Sequence, residues 1–134
     1  MTDLTRYFFN PVYTPRSAWS VIGWWESRRT LYNVTLAIAG GLSLAAFKSM
    51  SFFAPDPQHM PFPWGIVVVY AVLANVMYTV GPAVDLLIRR RWGNQYAAVG
   101  PVLFRYGFVF SVGLTLIPIP LAILTTMLRL LHLI

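Results

Sequence analysis

Residues 64–91 read WGIVVVYAVLANVMYTVGPAVDLLIRRR, a long and mostly apolar run that ends in three consecutive arginines. A helix needs about 20 such residues to cross the hydrocarbon core of a bilayer. Two further runs of this kind occupy residues 31–53 and 102–128. The sequence therefore predicts an all-α membrane protein with three transmembrane helices, at about 31–53, 64–88 and 102–128.

The composition excludes several other classes of protein. The chain is 57% hydrophobic and only 10% charged, whereas soluble domains are about 25% charged. Its net charge of +6 comes from ten Lys and Arg against four Asp and Glu. We expect these cations to meet anionic lipid headgroups rather than nucleic acid, because no soluble basic face is apparent. The absence of cysteine excludes disulfides, thiolate metal sites and cysteine nucleophiles.

The basic residues predict an orientation, because Lys and Arg near span ends favour the cytoplasm. Two of the ten, Lys48 and Arg129, fall on one side of the predicted membrane. The other eight fall on the opposite side: Arg6, Arg16, Arg28, Arg29, Arg89, Arg90, Arg91 and Arg105. We therefore expect a multi-pass protein of the bacterial inner membrane, with a cytoplasmic N-terminus and a periplasmic C-terminus.

The chain divides into a cytoplasmic N-terminal part, residues 1–30, and a three-span domain, residues 31–134. The first part is an aromatic-rich arm, which we expect to lie across neighbouring subunits, followed by a short interfacial helix at residues 17–29 with Ser17 as its N-cap. An irregular interfacial stretch is the alternative. Tryptophan and arginine suit the headgroup region. The predicted interfacial anchors are Trp19, Trp24, Trp25, Arg28, Arg29, Arg89, Arg90 and Arg91.

Small residues recur at four-residue spacing in every predicted span, which is the pattern that lets two membrane helices approach closely. Composition alone is the alternative explanation, since small residues are common in membrane helices. The predicted helix-packing residues are Ala37, Gly41 and Ala45 in the first span, Ala71, Asn75, Thr79 and Ala83 in the second, and Gly107 and Ser111 in the third.

Two polar residues of the second span need partners. An unpaired Asn75 amide in hydrocarbon would cost several kcal/mol, so it must face protein, water or a ligand. A structural hydrogen bond between helices is one interpretation, and a ligand or pigment contact is the other. Asp85 precedes Arg89 by four residues, the order that favours an ion pair within a helix.

Prolines should disturb two of the spans. Pro82 removes a backbone donor from the second span, and Pro118 with Pro120 interrupts the third. We expect structural kinks rather than a transport site. The carbonyls freed around Leu114 and Leu116 should then be satisfied by neighbouring helices, water or hydroxyl groups.

No catalytic or metal-binding pattern is apparent in the sequence. The two histidines, His59 in a proline-rich outer loop and His132 near the C-terminus, are weak candidates for axial ligation of a macrocycle. The acidic residues are scattered, so they form no pair for acid–base catalysis. We expect no enzyme activity, no metal and no ligated cofactor. Peripheral contact with chlorophyll-type pigments, carotenoid or lipid stays open.

Residues 24–33, WWESRRTLYN, resemble the first-span start of a group of small bacterial integral membrane proteins that share a W-W-E-x-R-R-x-x-Y-N run. The resemblance covers about ten residues and implies no activity and no site residue. Such small proteins suit an accessory, non-catalytic role in complex assembly. We expect a subunit of a photosynthetic reaction-centre–light-harvesting complex, packed against other integral membrane subunits. A respiratory-complex accessory subunit and a small homo-oligomeric transporter or channel are the alternatives.

Overall fold

The computed structural model describes residues 17–52, 64–93 and 99–131, and every regular element in these ranges is helical. Three helical segments are long and apolar enough to cross a membrane. The elements are α1 (Ala18–Phe52), α2 (Trp64–Trp92), α3 (Val99–Leu116) and α4 (Pro118–Leu130), with α3 and α4 together forming the third span. This confirms the predicted all-α class with three membrane-spanning helices. The arm at residues 1–16 lies outside the described residues.

The predicted interfacial helix is helical, but it is not a separate element. Helix α1 runs from Ala18 to Phe52 without interruption. No proline occurs in this range, so nothing in the backbone forces a break where the span begins. At its start the Ser20 backbone N–H donates to Ser17 Oγ over 3.3 Å, which is the capping interaction that the sequence predicts.

The prolines affect the two spans differently. Helix α2 continues through Pro82, which is buried. The third span is interrupted at Ile117, directly before Pro118, and the Ile117 backbone N–H donates to the Leu114 carbonyl over 3.3 Å. The adjacent carbonyl of Thr115 accepts a hydrogen bond from a hydroxyl of α1, Ser43 Oγ, over 2.6 Å. The Leu114 carbonyl that Pro118 frees is therefore satisfied within its own span, and the neighbouring helix supplies a donor one residue later, at Thr115.

The buried core lies towards the arginine-bearing end of the bundle. It consists of Val21, Trp24, Trp25, Tyr32, Leu36, Tyr78 and Phe104. Phe104 of α3 packs edge-on against two tryptophan rings of α1, with centroid distances of 5.9 Å to Trp24 and 5.8 Å to Trp25. Aromatic rings from all three spans thus form a single cluster.

Contacts between the helices show that Arg29 of α1 and Arg105 of α3 lie at a similar height along the bundle. Arg29 Nη2 donates to Thr79 Oγ1 over 3.3 Å, and Arg105 follows directly after Phe104, which contacts Tyr78. From Arg29 to Lys48 the rise along α1 is about 29 Å at 1.5 Å per residue. This length matches the hydrocarbon core, which is about 30 Å thick. With Arg29 and Lys48 at the two edges of the hydrocarbon, the start of α1 and the end of α2 would extend beyond it on the arginine-bearing side, and Trp24 and Trp25 would lie in this extension.

Gly81 of α2 packs against the Trp25 ring of α1, and this contact provides a test of the packing. A Cβ at this position would lie 2.5 Å from Trp25 Cη2 and 2.6 Å from Cζ3. We expect Gly81→Ala to lower the free energy of unfolding by about 1–3 kcal/mol through overpacking, measured by helicity during titration with a denaturing detergent. Gly23→Ala is the matched control, because a Cβ there meets no atom within 4 Å. Equal stability of the two variants would contradict the close approach.

Candidate functional site

A buried carboxylate connects the three spans at the arginine-bearing end. Asp85 is 2% exposed. Its Oδ2 accepts a hydrogen bond from Trp25 Nε1 over 3.1 Å, and its Oδ1 pairs with Arg89 Nε at 2.8 Å. Gly100 of α3 faces the same carboxylate, and a Cβ at this position would overlap Oδ2. The predicted Asp85–Arg89 pair is confirmed, whereas the burial of Asp85 and its bond to Trp25 were not anticipated.

Several predicted interfacial anchors lie inside the protein. Trp24 and Trp25 are 9% and 3% exposed, and Arg28 is 7% exposed. The Arg28 guanidinium lies 3.9 Å from the centroid of the Trp24 ring and donates to the Trp24 carbonyl over 3.0 Å. Tyr78 Oη donates to the Trp25 carbonyl over 2.5 Å. These rings pack against protein rather than facing headgroups, because three helices meet around them.

Other predicted anchors remain at the surface. Trp19 is 81% exposed, and Arg90 and Arg91 are also exposed. Arg29 is partly exposed and pairs with Glu26 at 2.8 Å. These residues are available to headgroups in the way that the sequence predicts.

The sequence left two interpretations of Asn75 open, a hydrogen bond between helices and a ligand contact. The structure shows the hydrogen bond between helices. Its Nδ2 donates to Asn33 Oδ1 over 3.0 Å, and Asn33 Nδ2 donates back to Asn75 Oδ1 over 3.2 Å. Asn75 Nδ2 also donates to the Ala71 carbonyl over 3.0 Å. The amide is thus a structural link between α1 and α2. Asn33 was not predicted as its partner, although an amide at the start of the first span was a usable signal.

A second group of polar contacts joins α1, α2 and α3 further along the membrane. Tyr32 Oη donates to Ser111 Oγ over 3.0 Å. Tyr70 Oη and Thr115 Oγ1 lie 2.5 Å apart, and Thr115 Oγ1 lies 2.6 Å from the Ser111 carbonyl. Of the predicted residues of the third span, Ser111 lies at a helix interface and Gly107 is exposed.

Within the described residues, the small-residue ridge of α1 is not covered by another helix. Ala37, Gly41 and Ala45 are exposed, while Ala39 and Ser43 on another side of the helix are buried. On α2, the exposed members of the predicted set are Ala71, Thr79 and Ala83. Contact of these exposed residues with another helix stays a prediction.

An open groove runs along the α1–α2 side of the bundle, with a volume of about 480 Å³. Its lining combines one arginine, two further polar residues and three apolar residues: Arg29, Ala71, Val72, Asn75, Val76 and Thr79. Within the described residues, this groove brings a charge beside apolar walls.

The two histidines are the remaining candidates for ligation. His59 and His132 lie outside the described residues. Within residues 17–52, 64–93 and 99–131, no group of three or more His, Cys, Asp or Glu residues could hold a metal ion.

No family model, curated protein or solved structure matches this chain. The resemblance at residues 24–33 and the expected photosynthetic setting stay predictions.

The Asp85 cluster predicts an unequal effect of two similar substitutions. Asp85→Asn removes a carboxylate from a pair whose side chains are 2% and 9% exposed, and we expect it to lower the free energy of unfolding by about 3 kcal/mol. Glu26→Gln removes a carboxylate from a pair whose side chains are 49% and 29% exposed, and we expect less than about 1 kcal/mol. Equal losses in detergent unfolding would contradict the structural role of Asp85.

The Asn33–Asn75 contact predicts energetic coupling. In a double-mutant cycle with Asn33→Leu and Asn75→Leu, the coupling energy should be about 0.6 kcal/mol and no more than about 1.7 kcal/mol, the range for hydrogen bonds between membrane helices. Thermal or detergent unfolding of the four proteins measures it. Strictly additive losses would show that the two amides do not interact.

Proposed function

We propose that this chain is a non-catalytic structural subunit of a larger membrane protein complex in the bacterial inner membrane, with the arginine-bearing end in the cytoplasm. The observation that supports this proposal most directly is that polar side chains of different spans hydrogen-bond to one another. Asn33 binds Asn75, Tyr32 binds Ser111, and Tyr70 contacts Thr115. These contacts hold the helices together.

A transporter or channel uses its intramembrane polar groups differently. In such proteins polar side chains and broken backbone line a path for the substrate. Here the interruption near Pro118 has a donor from Ser43 at the neighbouring Thr115 carbonyl, and the Asp85 carboxylate is enclosed by Trp25 and Arg89. This use of polar groups supports a packing role over a conducting one.

The outer face of α1 supports contact with partner proteins. The small residues at 37, 41 and 45 are exposed beside Ile38 and Leu42, which are 61% and 58% exposed. A second helix can approach closely over small residues, with dispersion contacts as the driving force. Other integral membrane subunits and lipids are the partners that fit this surface.

The photosynthetic reaction-centre–light-harvesting complex is the specific setting we propose, with contact to pigments, carotenoid or lipid at the periphery of the chain. It is a proposal from the sequence alone. A respiratory complex is the next candidate.

Purification from native membranes in mild detergent tests the proposal. We expect stoichiometric partner subunits by mass spectrometry, and pigment absorption if the setting is photosynthetic. A homo-oligomer without partners that conducts ions or transports a solute in liposomes would contradict the structural role.

A substitution on the exposed ridge tests how partners bind. We expect Gly41→Leu to deplete the copurifying partner about tenfold, because one displaced helix contact is worth roughly 1.4 kcal/mol. Stability of the isolated chain should be retained, since a Cβ at Gly41 meets no atom of the chain within 4 Å. Gly113→Leu is the control, because position 113 is equally open. Equal partner recovery from both variants would exclude the ridge as the contact.

A further inference from the structure

We propose that the groove between α1 and α2 binds one anionic phospholipid, with the phosphate on Arg29 and an acyl chain along Val76 and Val72. The inference does not rest on the proposed function, because it concerns the isolated chain and a lipid. It is supported by the shape of the groove, the position of its charge and the depth of both in the membrane.

The groove has the direction that a lipid chain requires. Its polar end is at Thr79, and its lining continues along α2 through Asn75 to Ala71. Eight residues of helix, from position 79 to position 71, correspond to a rise of about 12 Å. The walls at Val72 and Val76 are 57% and 54% exposed, so they are open to an acyl chain.

The charge lies where a phosphate would be in a bilayer. Arg29 lines the groove. Helix α1 rises about 29 Å from Arg29 to Lys48, which is close to the thickness of the hydrocarbon core. The groove therefore begins near the headgroup boundary and runs into the acyl region. A phosphate at its mouth and a chain inside it would match both environments.

The guanidinium of Arg29 is held in place while remaining accessible. Its Nη2 contacts Thr79 Oγ1 at 3.3 Å and Glu26 Oε1 at 2.8 Å, and its Cζ lies 5.1 Å from the centroid of the Tyr78 ring. The side chain is 29% exposed. A partly exposed guanidinium that is held in place is suited to phosphate because a charge-assisted hydrogen bond is stronger than a neutral one. The Glu26 carboxylate competes for the same cation.

A membrane phospholipid fits better than a soluble phosphate compound. The apolar walls make no favourable contact with a soluble anion. An acyl chain, in contrast, can pack against Val72 and Val76. Lipid binding should consequently depend on both ends of the groove: on the charge of Arg29 and on the open space beside Val76.

Native mass spectrometry of the full chain, released from micelles containing equal amounts of phosphatidylglycerol and phosphatidylcholine, tests the charged end. We expect about fivefold preferential retention of phosphatidylglycerol, corresponding to about 1 kcal/mol for one basic residue near the surface. Arg29→Gln should abolish this preference, and Glu26→Gln should increase it. Arg90→Gln is the control, because Arg90 is exposed at the same end but does not line the groove. No preference in the wild-type protein, or an equal loss in Arg29→Gln and Arg90→Gln, would overturn the proposal.

Filling the groove tests the apolar end. Val76→Trp should reduce phosphatidylglycerol retention although Arg29 is intact, while Met77→Trp should not, because Met77 is 65% exposed and lies outside the groove. Glycerol 3-phosphate, which has the phosphate without acyl chains, should not displace the lipid. Displacement by this compound, or equal effects of the two tryptophans, would contradict an acyl-chain site.

Circular dichroism on each variant separates loss of lipid from loss of fold. Arg29→Lys provides a second charged variant, which should restore part of the preference for phosphatidylglycerol.

Discussion

A carboxylate removed from water must have donors for its oxygens, and at Asp85 this requirement relates all three spans to one another. The donors come from two helices, Trp25 on α1 and Arg89 on α2, and α3 contributes Gly100, whose lack of a side chain leaves room for the carboxylate. An uncompensated buried charge would cost several kcal/mol. A shift of any one helix by a turn would separate Asp85 from at least one of these neighbours, so the cluster specifies the register of the bundle.

The other features of the protein follow from this register. It brings Asn33 opposite Asn75 and Tyr70 opposite Thr115, so that the intramembrane polar groups bind one another. It also brings Arg29 to Thr79, so that a charge lies in the α1–α2 groove. The chain therefore presents apolar and small residues to its surroundings, and this surface is suited to lipids and partner helices.

Local features were predictable from the sequence because they depend on neighbouring residues. The spans follow from apolar length, the Asp85–Arg89 pair from i,i+4 spacing, and the interruption before Pro118 from a missing backbone donor. The capping of α1 by Ser17 is equally local. In each case one short stretch contains the physical cause.

The rotation of each helix could not be predicted in the same way. In a membrane the lipid tails are as apolar as leucine, so the apolar pattern does not distinguish an inward face from an outward one. Helix α1 carries small residues on more than one side, and the ridge at Ala37 and Gly41 is exposed. Trp24 and Trp25 resemble headgroup anchors in sequence, but they are buried because Tyr78 of α2 and Phe104 of α3 pack against them.

Hydrogen exchange of the tryptophan indoles tests the central claim, that the buried Asp85 of α2 is hydrogen-bonded to Trp25 of α1. The measurement is the exchange rate of each indole N–H in deuterated buffer by nuclear magnetic resonance, with Trp25 assigned from a Trp25→Phe variant. Because Trp25 Nε1 donates to a carboxylate that is 2% exposed and Trp19 is 81% exposed, the Trp25 indole should exchange at least about a hundredfold more slowly than that of Trp19, as expected for a group that opens only through unfolding. Equal exchange rates for Trp25 and Trp19 would contradict the account.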